Sequence, residues 1–353
     1  MKQTNPRSKD DKDNMIFNHY GEIDVTSPDG SAPNKKTGNI GVFSDGEALA
    51  NFYGGSKIYV GDDSIGIHTS KRDAFNATFK NLGTLKIKIG ARSTFAYLDA
   101  DGTETQTTLK EFFNLEDAKV NIESGMGKES SLVYANNKAK ALLDADYTIT
   151  QGNAAASTMA LLAANASNVT VDSRKTLTTN TQVALAAVSG STAENKGTIV
   201  SNRSDKGIGI YAKEAGSKGI NKGTITMEKI NAIGMYGKDV ASLESSTGSN
   251  ITMKKTGSVG MYGVVSASAT VPPFTVTNAG TIELEEGGSA GIYLVNDSKA
   301  TDKIANLSAS NTETIKLKFG EGSIGIYAPA STISNIGTIT MANDVEKSIA
   351  AYI

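Results

Sequence analysis

The sequence predicts an all-β fold, a right-handed parallel β-helix of about twelve coils with roughly 25 residues in each. Three observations lead there. The string Ile208-Gly209-Ile210-Tyr211 returns as Ile233-Gly234-Met235-Tyr236 and again as Val259-Gly260-Met261-Tyr262, its tyrosines 25 and then 26 residues apart. A second string precedes each copy: Thr198-Ile199, Thr224-Ile225 and Asn250-Ile251. Between the two lies no helical pattern of the usual length. Two short strand patterns at one fixed period mark a solenoid, an elongated body whose coils contact only their neighbours. Parallel strands joined by right-handed crossovers then stack at about 4.8 Å, which gives a rod of roughly 55–60 Å.

The tyrosine column extends both ways from this centre. It runs through Phe43, His68, Tyr97, Tyr134, Leu162, Ala186, Tyr211, Tyr236, Tyr262, Tyr293, Tyr327 and Tyr352. The residue two before is Gly or Ala throughout, except at Phe95 and Leu132. Strict alternation along a strand turns Ile208 and Ile210 inward and Gly209 and Tyr211 outward. The ring then covers a bare glycine backbone. By the same alternation Ile233 is a core residue. The opposite sense, rings inward, fits the period equally. Cover of the backbone is preferred to a sugar-stacking stripe, because the column runs the whole length without local variation.

The second column is Asn-x-Gly-Thr-Ile/Leu, intact at 81–85, 195–199, 221–225, 278–282 and 335–339. Asn and Gly supply a turn, and Thr-Ile-Thr-Met alternates as a half-buried strand does. Degraded copies are read at Val120-Asn121-Ile122, Thr148-Ile149-Thr150, Val169-Thr170-Val171, Ile251-Thr252-Met253 and Ile315-Lys316-Leu317. Stacked asparagines can hydrogen-bond along the axis.

Residues 1–20 read as a mobile polar lead-in, and 21–353 as β-helix. The start lacks the apolar stretch of a signal peptide and the end falls inside a further repeat copy. An internal piece of a longer polypeptide is therefore expected. Net charge is −2 and cysteine is absent. The first gives no electrostatic case for nucleic acid. The second excludes a disulfide scaffold and fits export of an unfolded chain.

From the column isoleucine to the tyrosine takes 11 or 12 residues, while the return takes anything from 12 to 23. The extra chain therefore leaves one corner of the coil, as insertions at 98–115, 263–277 and 294–314. Insertions on one face of a repeat scaffold are the usual seat of recognition. The last two lie on successive coils. The candidate binding residues are Pro272, Pro273 and Phe274 as an apolar anchor, with Asn296, Asp297 and Lys299 as a polar rim.

Catalysis is not expected. The two histidines, His19 and His68, have no Gly-x-Ser-x-Gly string beside them, and His68 fills a tyrosine slot. Paired acids occur at Asp62-Asp63, at Asp99, Asp101 and Glu104, and at Glu285-Glu286. Two carboxylates facing across a sugar are what a glycosidase needs, and these read instead as turn acids. The segment 99–104 suggests a calcium loop but lacks the full spacing, so a hairpin turn is preferred. No cofactor or metal is expected.

The strings Ser323-Ile324-Gly325-Ile326-Tyr327-Ala328 and Asn-x-Gly-Thr-Ile resemble the passenger domains of the large fusobacterial type Va autotransporters, the RadD-like adhesins. The likeness covers about residues 21–353 as repeat style and names no binding residue. It implies export through an outer-membrane barrel of the same polypeptide and display on the cell surface. It also implies adhesion to a protein or glycan on a host cell or another bacterium. A monomeric adhesin is the expected function. A toxin-type passenger and a polysaccharide-active β-helix enzyme are the alternatives.

Overall fold

The computed structural model describes residues 15–25, 38–45, 48–53, 57–70, 77–82, 86–102, 105–108, 119–151, 157–240, 242–266, 273–297, 307–343 and 346–353. Among them every regular element is a strand, and every strand pair is parallel. The chain is a parallel β-helix. One sheet of twelve strands carries the tyrosines, from Ile40–Asp45 to Ile349–Tyr352. A second sheet of twelve carries the Thr-Ile strings, from Glu22–Val25 to Thr338–Met341. A third face, not foreseen from the two repeat strings, holds nine strands from Thr105–Thr108 to Thr332–Asn335. Nearer the N-terminus a separate sheet of three comprises Met15–His19, Ala48–Tyr53 and Ala77–Leu82. The first strand thus begins within the polar lead-in.

The twelve tyrosine rungs pair as the sequence predicts, including Leu162 with Ala186 and Ala186 with Tyr211. Two degraded copies of the other string are placed differently. Asn168–Val171 belongs to the third sheet, and the threonine-sheet strand of that coil is Thr176–Thr179. Tyr147, not Ile149, pairs with Leu177 in the isoleucine column. Tyr147 is apolar enough to be buried there, and a two-residue slip keeps the same side chains inward.

Alternation fails at the glycine column, which corrects the expected orientation. In Ile208–Lys213 the buried residues are Gly209, Ile210 and Ala212, while Ile208 and Tyr211 are half-buried. A Cβ on Gly209 would lie 2.8 Å from Ile225 Cγ2 in the core and 2.6 Å from the Gly234 oxygen. The glycine therefore faces inward beside Ile210. Register passes from Ile208–Ile233 to Ile210–Met235 with no pair between the glycines. Glycine is needed for room, since the facing isoleucine of the threonine sheet fills the space. The ring does not cover it, and Ile233 lies on the outer side of its strand. Phe95 and Leu132, in the same slot, are buried core residues.

Each corner of the coil carries an internal polar ladder. At the third-to-threonine corner, Asn195 Nδ2 donates to Asn221 Oδ1 at 2.8 Å, Asn278 to Asn311 at 2.7 Å and Asn311 to Asn335 at 2.7 Å. Ser245 interrupts this run and bonds Ser249 instead. Before the tyrosine strand, serine hydroxyls, buried in all but the last coil, accept backbone amides of the preceding coil. Ala232 N donates to Ser258 Oγ at 3.2 Å, Ser258 N to Ser289 Oγ at 3.2 Å and Ser323 N to Ser348 Oγ at 3.0 Å. After the tyrosine strand, Ser167 N donates to Ser191 Oγ at 3.1 Å. Turn amides have no ladder partner of their own, and buried ones need one.

Candidate functional site

The corner that follows the tyrosine sheet is where the long insertions leave. In ordinary coils the turn is short, as between Lys213 and Lys218 or between Lys238 and Ser242. On the next two coils the tyrosine strands are longer, Val259–Val265 and Ala290–Asn296, and the third-sheet strands resume only at Phe274 and Leu307. The two departures are thus neighbours at one corner, as the spacing predicts. The insertion at 98–115 divides, part before the strand Thr105–Thr108 and part after it.

The stems of the departures are pinned. The carboxylate of Asp239 accepts from Ser266 N and from Ser266 Oγ, both at 2.7 Å. Asp297 N donates to Val265 O at 2.9 Å, and Asn296 Nδ2 donates to Ala330 O at 2.8 Å. Carboxylates at this corner add to what burial does to the tyrosine hydroxyls. Burial in the column, with Tyr211, Tyr262 and Asp239 beside it, pushes Tyr236 up to about 12. Burial and then Asp297 raise Tyr262, and burial and then Glu214 raise Tyr211. Farther down, burial and then Asp99 push Tyr97 up to about 12, and Asn136 Nδ2 donates to its hydroxyl at 2.6 Å.

The predicted binding residues do not form the patch expected of them. Phe274 is wholly buried. It opens a third-sheet strand and pairs with Leu307. Its ring fills the space over Gly237 and Gly263, where added Cβ atoms would approach it to 2.9 and 3.2 Å. It is therefore a core residue, unavailable as an anchor. Pro273 and Asp297 are exposed at the corner, and Asn296 is half-buried in its structural bond. Pro272 and Lys299 lie outside the described residues.

The outer faces differ sharply in chemistry. The threonine sheet presents residues such as Thr224, Thr226, Thr252 and Glu283, and the third sheet presents Thr192, Glu194, Ser242 and Glu244. The tyrosine sheet alone presents two apolar columns. One is aliphatic, through Ile208, Ile233, Val259, Ala290 and Ile324, and is broken nearer the N-terminus by Thr94 and Ser131 beyond Ile65; the other is aromatic. Rings from Tyr211 to Tyr352 follow one another at 4.5–5.4 Å between centroids. The pairs 211–236, 293–327 and 327–352 are stacked, so those ring faces meet each other and the outside meets edges and hydroxyls. A sugar stacking on flat rings needs the faces.

Of the acids singled out from sequence, Asp62, Asp63, Asp101 and Glu286 sit in turns, Asp99 ends a strand, and Glu104 lies outside the described residues. Asp63 holds Arg92 through two bonds of 2.5 Å, and Asp62 Oδ1 accepts from Ala91 N at 2.9 Å. Glu286 accepts from Lys255 Nζ and Thr256 N, and the lysine holds its carboxyl below the ordinary range. Asp99 Oδ1 accepts from Asp101 N at 3.0 Å and from Asn137 Nδ2 at 2.9 Å. That turn joins strands of two different sheets, so it is a coil corner and not a hairpin. His68 stands edge-on between Phe43 and Tyr97, 5.1 and 4.8 Å from their centroids. Gly287-Gly288-Ser289-Ala290-Gly291 does match the Gly-x-Ser-x-Gly string, away from either histidine in sequence. Its serine is a buried rung of the hydroxyl ladder, entering a strand from a turn, and not a strand-to-helix nucleophile elbow. No protein family, curated protein or solved structure matches the chain.

Proposed function

We propose that the chain is a non-catalytic surface adhesin, a β-helical stalk of the autotransporter passenger kind. It holds loops toward a protein or glycan on a host cell or another bacterium. One observation carries the reading: on two successive coils the chain leaves the same corner, between Val265 and Phe274 and between Asn296 and Leu307, from pinned stems. Stacked strands fix the positions of such stems, and loops on a rigid scaffold are where recognition concentrates. The export route through an outer-membrane barrel belongs to the same proposal and draws on the repeat style alone.

Replacing 267–272 and 298–306 by the short turn found between Lys213 and Lys218 tests it. The stacked strands remain, so unfolding free energy should change by no more than about 1 kcal/mol. Binding of the purified rod to intact bacterial and host cells should fall severalfold for each replacement and be lost for both. Undiminished binding by a folded double replacement would remove this corner. Leakage from lipid vesicles would instead favour a toxin, and oligosaccharide release a polysaccharide-active enzyme.

A further inference from the structure

We propose that two copies of this chain pair side by side, pointing the same way, through the outer faces of their tyrosine sheets. The pairing is independent of the adhesin reading and replaces the monomer expected from sequence.

The first ground is the contrast among the faces. Two faces put mainly hydroxyls and charges outside, broken by single apolar residues such as Val200 and Ile220, whereas the third puts isoleucine and tyrosine there, with Lys213 and Lys238 along one margin. The slip at the glycine is what does this. Plain alternation would bury Ile208 with Ile210, and instead Gly209 takes the inner place and Ile208 joins Tyr211 outside. The arrangement recurs at Ile233 with Tyr236, at Val259 with Tyr262 and at Ile324 with Tyr327. The stripe is half-buried rung by rung and exposed only at its ends, at Ile40, Phe43, Ile349 and Tyr352, yet a contiguous apolar stripe of this length is rare on a protein that stays alone.

Area and shape indicate the occupant. An aromatic side chain buries roughly 150–250 Å² when wholly covered, and each half-buried ring here still offers a fraction of that. A part-exposed ring and its aliphatic neighbour, repeated along most of the rod, supply on the order of the ~800 Å² per partner that a stable complex takes. The face is straight and repeats at the coil spacing, so a surface with the same period matches it at every rung, and a second copy has that period. Sheets pack face to face in this way in ordinary cores. A two-fold axis parallel to the rods lays the aliphatic column of each copy against the tyrosine column of the other, ridge over groove. A two-fold axis across the rods would set tyrosines against tyrosines and leave a gap between the aliphatic columns. The interface is isologous and closes at two copies.

The chain has no cysteine, which makes the test clean. Sedimentation velocity of the unaltered chain at tens of micromolar should show a dimer. Ile208→Lys with Val259→Lys changes only the outer face, so the melt should stay cooperative while the dissociation constant rises at least a hundredfold. The matched pair Thr226→Lys with Thr252→Lys, on the threonine sheet, should leave the dimer intact. An oxidised mixture of Ile233→Cys and Tyr236→Cys chains should cross-link more than either variant alone. A monomer at every concentration would overturn the proposal. So would a dimer that survives the lysines on the tyrosine face, which would point to strand edges pairing end to end. Preferential cross-linking of either variant with itself would overturn the parallel arrangement.

Discussion

Met235→Asp should abolish the folded rod at 37 °C. Met235 is wholly buried and lies between Ile210 and Met261 in a column of inward side chains. A carboxylate there has no cation and no donor in reach of an apolar column, and an unpaired buried charge costs several kcal/mol. In a solenoid the loss spreads, because each coil is held only by its neighbours. Thermal unfolding followed by far-ultraviolet circular dichroism should show either no transition or one depressed by roughly 4 kcal/mol or more. A melt like that of the parent would mean that the strand faces the other way.

Gly234→Leu should be the next most damaging change. An added Cβ would meet the Gly260 oxygen at 2.6 Å and Ile251 Cγ2 at 2.6 Å. Overpacking a filled core costs about 1–3 kcal/mol, and a backbone oxygen cannot move aside as a side chain does. Leucine itself is not foreign to this slot, since Leu132 occupies it in another coil. Placing Ile251→Ala beside Gly234→Leu should therefore restore part of the loss, by clearing the side chain but not the oxygen. Full recovery in the double variant would show that the stacked backbone sets no limit there. No loss in the single variant would show that the glycine does not face the core.

The tyrosine column was legible because its motif is repeated whole and its members pair in one sheet. Even Leu162 and Ala186 could be placed by spacing alone. The third sheet was not legible, because its inward column changes size from coil to coil. Val169, Ala193, Gly219, Leu243 and Val276 follow one another there, with mostly polar residues outside and Ile220 among them. Such strands satisfy the core by volume and leave no motif. Orientation was missed for a different reason: period-2 alternation holds only where the pleat is regular, and the residue two before the column position, glycine in seven of the twelve coils, breaks it. Phe274 left a signal that could have been read. The residue after the column tyrosine is Ala135, Ala212 and Ala328 in three coils and Leu98 and Leu294 in two, but Gly237 and Gly263 where the ring enters. Small residues flanking one large aromatic are the mark of a core that has made room. Of the acids at the corner, Asp239 stands three residues after Tyr236 and could be read locally, whereas Asp297 acts on Tyr262 only through the stacking of coils.

The central claim is that the tyrosine strands from Ile208–Lys213 to Ile324–Tyr327 turn a glycine and its following residue inward, leaving an aliphatic–aromatic stripe outside. Cysteine reactivity tests it most directly, since the chain supplies no cysteine of its own. Single cysteines at Ile233, Met235 and Tyr236 would be labelled with a maleimide in the folded protein, diluted below its self-association range. Rapid labelling at 233 and 236, with 235 protected until global unfolding, is the predicted result. Protection at 233 equal to that at 235 would contradict it and restore plain alternation.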